Sequence, residues 1–178
     1  MKILALSGSL RRISYNTAAI VALKKLAGKE VEITIGSIAN LPLFDSDREE
    51  ENIPPLKNLK NLLKESSGLI ISSPEYAHGI SGPLKNALDW LVSGSEFPEI
   101  PIMLINTSPR ASHGQVALRE VLTTMSGKVI EKASVSIPLL GSGLNSTGVL
   151  ENEEISQRLL DGANIFFKEI EKIEYENN

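Results

Sequence analysis

Met1-Lys2-Ile3-Leu4-Ala5-Leu6-Ser7-Gly8-Ser9-Leu10-Arg11-Arg12-Ile13-Ser14-Tyr15-Asn16-Thr17 opens the chain, and the reading of this stretch decides the fold. Lys2–Ser7 is a short apolar run stopped by Ser7-Gly8-Ser9, which reads as a buried strand. Asn16–Ala27 then carries helical spacing, with Ala19, Leu23 and Leu26 on one face and Gly28 past the end. A buried strand feeding a helix is the first beat of an alternation that continues along the chain.

Val31–Ile35 alternates apolar and polar residues as a second strand, and Gly68–Ser73 and Ile102–Asn106 are the third and fourth. Ala133–Ile137 is the fifth. Asn40–Pro55, with three prolines and an acidic stretch, reads as a loop before a helix over Leu56–Ser66. Ser81 caps a helix with Pro83 in its first turn, where Leu84, Ala87, Leu88 and Leu91 stand at i, i+3, i+4 and i+7. Gln115–Met125 is a further helix, and an acidic turn at Glu151–Glu154 opens the last one, with fraying expected from about Tyr175. Five strands alternating with five helices predict a parallel sheet covered on both faces, a three-layer α/β/α fold over residues 1–178 as one domain.

Bulk properties set outer bounds. Hydrophobic residues make up 42% and charged residues 22% of the 178, which suits a globular core. There is no cysteine, so disulfides, thiolate nucleophiles and cysteine metal clusters are excluded, and a reducing cytoplasm is the compatible location. A net charge of −4 argues against nucleic acid as partner. No apolar run is long enough for a bilayer span, and the opening run is too short for a signal peptide.

In an open parallel sheet, ligands bind beyond the carboxyl ends of the strands. Three loops leave those ends. In the first, Ser7 to Thr17, glycine, hydroxyls, a helix N-terminus and Arg11 or Arg12 suit a phosphate; a serine-rich helix cap with solvated arginines is the alternative. It is neither a Walker loop nor a dinucleotide fingerprint. The second, Ser73 to Pro83, offers Gly79 and Gly82 for close backbone approach and Tyr76 and His78 as rings or donors; His78 equally suits a surface or capping place. The third, Asn106 to Gln115, fits a site and a plain connector equally well. Trp90 falls off the core stripe of its helix, which suits a contact between subunits, with packing under the neighbouring loop as the alternative.

Gly8-Ser9-Leu10-Arg11-Arg12-Ile13-Ser14-Tyr15-Asn16, Pro74-Glu75-Tyr76, Leu84-Lys85-Asn86-Ala87-Leu88-Asp89-Trp90 and Leu41-Pro42-Leu43-Phe44-Asp45 together resemble the NAD(P)H-dependent FMN reductase family of flavodoxin-like proteins. The resemblance runs through most of the chain and implies a five-stranded sheet in the order 2-1-3-4-5. It implies an FMN phosphate on Ser9, Arg11, Ser14, Asn16 and Thr17. It implies the isoalloxazine edge against Pro74, Glu75, Tyr76, Ala77, His78 and Gly79, with Ser108 to Gly114, His113 included, closing the other side. Three places depart from the family pattern: Ala77 replaces an Asn, Ile80-Ser81-Gly82-Pro83 replaces a Ser-x-Pro-Gly order, and His113-Gly114 replaces a glycine pair.

The implied activity is hydride transfer from NADPH or NADH to FMN N5, then electron transfer to a small-molecule acceptor: a quinone, azo compound, metal oxyanion or flavin. No acid–base side chain is expected, since the cofactor carries the chemistry. The resemblance also implies a homodimer or homotetramer. A flavodoxin-type electron carrier is the competing reading. A serine hydrolase on Ser81 with His78 or His113 lacks its Gly-x-Ser-x-Gly elbow, and two histidines without cysteine give no metal site.

Overall fold

The computed structural model describes residues 1–110 and 112–176. β1 (Lys2–Ser7) pairs with β2 (Glu32–Gly36) on one side and β3 (Gly68–Ser72) on the other, and β6 (Pro101–Asn106) lies beyond β3. All pairings in this sheet are parallel, and with β7 (Lys128–Val129) beyond β6 the order β2-β1-β3-β6-β7 is the expected 2-1-3-4-5.

The side-chain alternation of the strands builds the two cores. Ile3 and Ala5 of β1, Ile70 of β3, and Met103 and Ile105 of β6 face one layer. That layer is α1 (Tyr15–Leu26), α5 (Ser146–Glu151) and α6 (Glu153–Glu176). Leu4, Leu6, Leu69, Ile71, Ile102 and Leu104 face the other, formed by α2 (Pro54–Lys64), α3 (Gly82–Leu91) and α4 (Ser112–Thr124). Strands this apolar on both faces belong in the middle of a sandwich of helices.

Three features differ from the sequence reading. The fifth strand is two short pieces on β6, β7 (Lys128–Val129) and β8 (Val135–Ser136), separated by a 3₁₀ turn at Glu131–Ala133. Between the pieces the Ser134 hydroxyl takes the Leu104 N–H at 3.1 Å, a side chain standing in for the ladder. The second loop is not all coil: β4 (Glu75–Tyr76) and β5 (Gly79–Ile80) form an antiparallel hairpin. The helix over the C-terminal region is preceded by α5, and α6 continues through Tyr175 to Glu176; Asn177 and Asn178 lie outside the described residues.

Trp90 corrects the subunit-contact expectation. It is 1% exposed, covered by Ile53, Leu56, Leu41 and Phe44. Its Nε1–H donates to the Pro42 carbonyl at 2.8 Å, and Phe44 meets the indole edge-on at 5.1 Å. Asn86 accepts the Phe44 N–H and donates to Pro42 O, so one polar residue of α3 holds the 40s loop over the indole with two hydrogen bonds. The indole therefore has a polar partner and an apolar cover within its own chain.

Candidate functional site

The site is assembled where β1, β3 and β6 end. Gly8 follows β1 directly, and its N–H donates to Ser72 O at the end of β3. A Cβ there would lie 2.7 Å from Ser73 Oγ and 3.1 Å from Ser73 Cα, so only glycine lets the two strand ends approach this closely. Ser81 Oγ, fully buried, donates to Gly8 O at 2.6 Å and accepts the Leu84 N–H as the cap of α3. Both hydroxyl functions are thereby occupied, which removes Ser81 as a nucleophile.

Asn16, only 6% exposed, ties the three strand ends together. Its Oδ1 accepts from Thr107 Oγ1 at 3.1 Å, beyond β6, and lies 2.9 Å from Ser72 Oγ, the last residue of β3. The Ser72 proton is shared between that oxygen and Ile105 O, also at 2.9 Å. With the carbonyl side anchored, the amide nitrogen of Asn16 has no partner among the described residues, and Asn16 lines the cleft above.

The loop after β1 presents donors. Ser14 caps α1 by accepting the Thr17 N–H at 3.3 Å. Among the described residues the Tyr15 and Asn16 N–H groups have no acceptor, as expected of the orphan donors of a first turn. The guanidinium groups of Arg11 and Arg110 likewise have no hydrogen-bond or ion-pair partner there. Free N–H groups at a helix N-terminus, two serine hydroxyls and an unpaired guanidinium form a donor set that fits a phosphate monoester. The residues present therefore suit the phosphate end of FMN.

Opposite stands the hairpin. Glu75 Oε2 accepts the Gly114 N–H at 2.6 Å, binding β4 to the first turn of α4. His78, in the hairpin turn, stacks on His113. Ala77 and His78 form a two-residue turn with φ of 49° and 60°, the backbone of a type I′ turn. Tyr76 is 51% exposed at the rim.

The cleft between these walls measures about 270 Å³. Of the sequence-predicted residues it is lined by Ser9, Arg11, Ser14, Asn16, Pro74, Glu75, Tyr76 and Ser108. Thr17 is not on the lining: its hydroxyl lies 2.9 Å from Ser7 Oγ, within the loop rather than facing the cleft. Ala77, His78, Gly79, His113 and Gly114 also fall outside the lining and form the support of the hairpin wall. Ala111, inside the third loop, lies outside the described residues.

The cleft also takes in Arg110, which falls within the expected stretch Ser108 to Gly114, and Tyr15, Ser73, Thr107 and Leu140, which the sequence reading did not single out. Leu140 comes from the loop after β8, whose Gly143 N–H donates to the Tyr15 hydroxyl at 3.1 Å. Among the described residues Glu75 is the one carboxylate on the lining, against two arginines, so the lining carries an excess of one formal positive charge. Among the described residues no group of three or more His, Asp or Glu side chains could hold a metal ion, and no described helix is long and apolar enough to cross a membrane.

Comparison with known proteins adds an independent line. The NADPH-dependent FMN reductase family model matches residues 1–139. The chain is 34% identical to a quinone reductase of Escherichia coli (strain K12) over 143 residues, 74% of each chain. It is 26% identical to an NAD(P)H-dependent FMN reductase of Pseudomonas aeruginosa over 96% of this chain and 97% of that one. Among solved structures it superposes on the flavoenzyme NAD(P)H:(acceptor) oxidoreductase FerB of Paracoccus denitrificans with a TM-score of 0.80, at 25% identity, covering 96% of this chain and 97% of that one.

Proposed function

The chain belongs to the NADPH-dependent FMN reductase family, and from that premise we propose that the cleft beyond β1, β3 and β6 is where FMN is held and where NAD(P)H and a quinone meet it. The protein is an FMN-dependent NAD(P)H oxidoreductase. FMN, when bound, would supply the redox chemistry of hydride acceptance from NAD(P)H and two-electron reduction of the acceptor.

The chain's own residues bind, orient and shield. Ser9, Ser14, Arg11 and the first-turn N–H groups of Tyr15 and Asn16 hold the phosphate. Asn16 directs its amide N–H₂ into the cleft because its oxygen is anchored from below. The hairpin residues Pro74, Glu75 and Tyr76 form the wall for the flat ring, and Ser108 faces them from the loop after β6. Ala77, His78, Gly79, His113 and Gly114 position that wall without lining it. Glu75 is committed to the Gly114 N–H and is assigned no proton transfer. Tyr76 and Leu140, both largely exposed at the rim, give a flat acceptor apolar edges.

The observation that carries the reading is the convergence of unpaired donors on one end of one cleft. The test is to denature the purified protein, identify the released flavin by chromatography, and follow NADPH oxidation with benzoquinone and no partner protein. Release of FMN and quinone-dependent turnover are expected. A protein that neither retains nor takes up FMN overturns the proposal.

A homodimer or homotetramer in the cytoplasm belongs to the same reading. With Trp90 buried, its support is the large apolar side chains left exposed, Leu43 at 84% and Val116 at 68%. Sedimentation at micromolar concentration is expected to give a species larger than a monomer; a monomer alone removes the assembly.

A further inference from the structure

Two arginines line the cleft from opposite sides, Arg11 from the loop after β1 and Arg110 from the loop after β6. Neither guanidinium has an anionic partner among the described residues. Oxidised FMN offers one anionic group, its phosphate, and the helix end that suits it lies beside Ser14 and Arg11. A second unpaired guanidinium on the other wall is therefore surplus to the cofactor. A reduced nicotinamide dinucleotide brings anions of its own: a pyrophosphate in both forms, and in NADPH a 2′-phosphate as well.

We propose that Arg110 anchors a phosphate of the nicotinamide dinucleotide and sets the affinity for the electron donor. This rests on the assignment of the cleft to FMN. Three observations favour Arg110 for the task. It stands two residues before α4, past the carboxyl end of β6, on the lining of the cleft. Its side chain is exposed, so the charge stays solvated and ready to pair without a buried-charge penalty. The guanidinium fork gives two parallel hydrogen bonds to a phosphate, which lysine cannot match. The contact lies remote from the reacting nicotinamide carbon, so it acts on binding and leaves the chemical step alone.

The test uses FMN-loaded protein, wild type and the variants Arg110→Ala, Arg110→Gln and Arg110→Lys. Among the described residues the Arg110 side chain has no hydrogen-bond or ion-pair partner, so all three variants are expected to fold. NADP⁺ and NAD⁺ are titrated as dead-end ligands by flavin absorbance at several salt concentrations. Stopped-flow bleaching by NADPH and NADH then separates the apparent dissociation constant from the limiting rate. Arg110→Ala is expected to weaken dinucleotide binding about tenfold, the scale of a charge-assisted hydrogen bond at a solvated site. The limiting rate should stay within about twofold, because the lost contact is equal in ground and transition states. Salt should weaken wild-type binding and have less effect on Arg110→Ala and Arg110→Gln, with Arg110→Lys between.

A loss confined to the 2′-phosphorylated forms assigns the contact to that phosphate; an equal loss for both pairs assigns it to the pyrophosphate. Unchanged dinucleotide affinity in Arg110→Ala, with FMN bound as in wild type, overturns the proposal while leaving the reductase assignment intact. Loss of FMN itself in Arg110→Ala also overturns it, by giving Arg110 to the cofactor. Failure of the wild type to hold FMN is failure of the prior assignment and is read separately from the FMN content.

Discussion

The imidazole rings of His78 and His113 stack face to face, centroids 4.4 Å apart and planes 12° apart, joining the turn of the β4–β5 hairpin to the first turn of α4. Neither ring lines the cleft. The pair is a clasp that holds the hairpin wall of the site to α4.

A clasp and a proton donor behave differently on mutation. His78→Ala and His113→Ala are expected to lower the bleaching rate of bound flavin by NADPH by less than about tenfold, against the 10²–10⁴-fold typical of a lost acid–base group. In urea unfolding, a double-mutant cycle should return a coupling of about 0.5–1 kcal/mol, the scale of one stacked ring pair. A rate loss beyond about 10³-fold with FMN still bound would give a histidine proton chemistry.

Glu75 holds the same hairpin to α4 by a stronger bond. Its carboxylate accepts an N–H of the α4 first turn, where the helix dipole adds to the attraction. Glu75→Ala should cost about 1.5–3 kcal/mol of stability, the scale of a hydrogen bond to a charged group. Glu75→Gln keeps an acceptor without the charge and should cost less. Chemical denaturation of the apo proteins orders the three; equal stability of Ala and wild type refutes the assignment.

Asn16 is expected to matter twice. Asn16→Ala leaves the Thr107 hydroxyl without its acceptor, while Ser72 keeps Ile105 O. One buried polar group stranded costs about 1–3 kcal/mol. The loop after β1 is tethered through this residue to β3 and β6, so the same change should weaken FMN even if the amide makes no contact with it. Urea midpoints measure the first effect and fluorescence titration with FMN the second. A variant as stable as wild type shows that the network contributes nothing.

How much of this could be read from the chain follows from how local each cause is. β1, β3 and β6 were legible because strands buried on both faces are unbroken apolar runs, and the stripe Leu84, Ala87, Leu88, Leu91 was legible because one helix face makes one core. The phosphate-type loop carries its chemistry in consecutive residues. The hairpin was not legible: its strands are two residues long, and Ala77-His78 lacks the Asn-Gly signal of its turn. Trp90 was misplaced because its cover comes from Pro42 and Phe44, more than 40 residues away, on a side of α3 that faces no strand. Tyr15 and Gly143 meet across 128 residues, a distance no local pattern records.

The turn itself can be improved. An L-residue in the left-handed region costs roughly 1–2 kcal/mol, with asparagine the best tolerated after glycine. Ala77→Asn is expected to raise stability by about 0.5–1 kcal/mol, or roughly 2–3 °C in Tm for a chain of this size. Ala77→Val should lower it, because a β-branched side chain suits positive φ least. Thermal unfolding of the apo proteins checks the order Asn, Ala, Val; the reverse order would contradict the φ values of the turn.

Arg11 decides the phosphate assignment. Its guanidinium lines the cleft beside the cap of α1 with no partner among the described residues, which leaves it open to an anion from outside. The FMN phosphate carries about −1.5 to −2 charges near neutral pH. Arg11→Ala should weaken FMN by about 1.5–3 kcal/mol, roughly 10- to 150-fold, with the lower end favoured because the side chain is exposed and screened. Riboflavin supplies the control. Lacking the phosphate, it should bind poorly to both proteins and nearly equally, since the ring and ribityl contacts are common to both. The measurement is flavin fluorescence quenching at low and moderate salt, where wild-type affinity for FMN should fall with salt more steeply than that of the variant. If Arg11→Ala binds FMN as tightly as wild type at low salt, the phosphate is held elsewhere, and the donors of the Tyr15 and Asn16 N–H groups are serving another ligand.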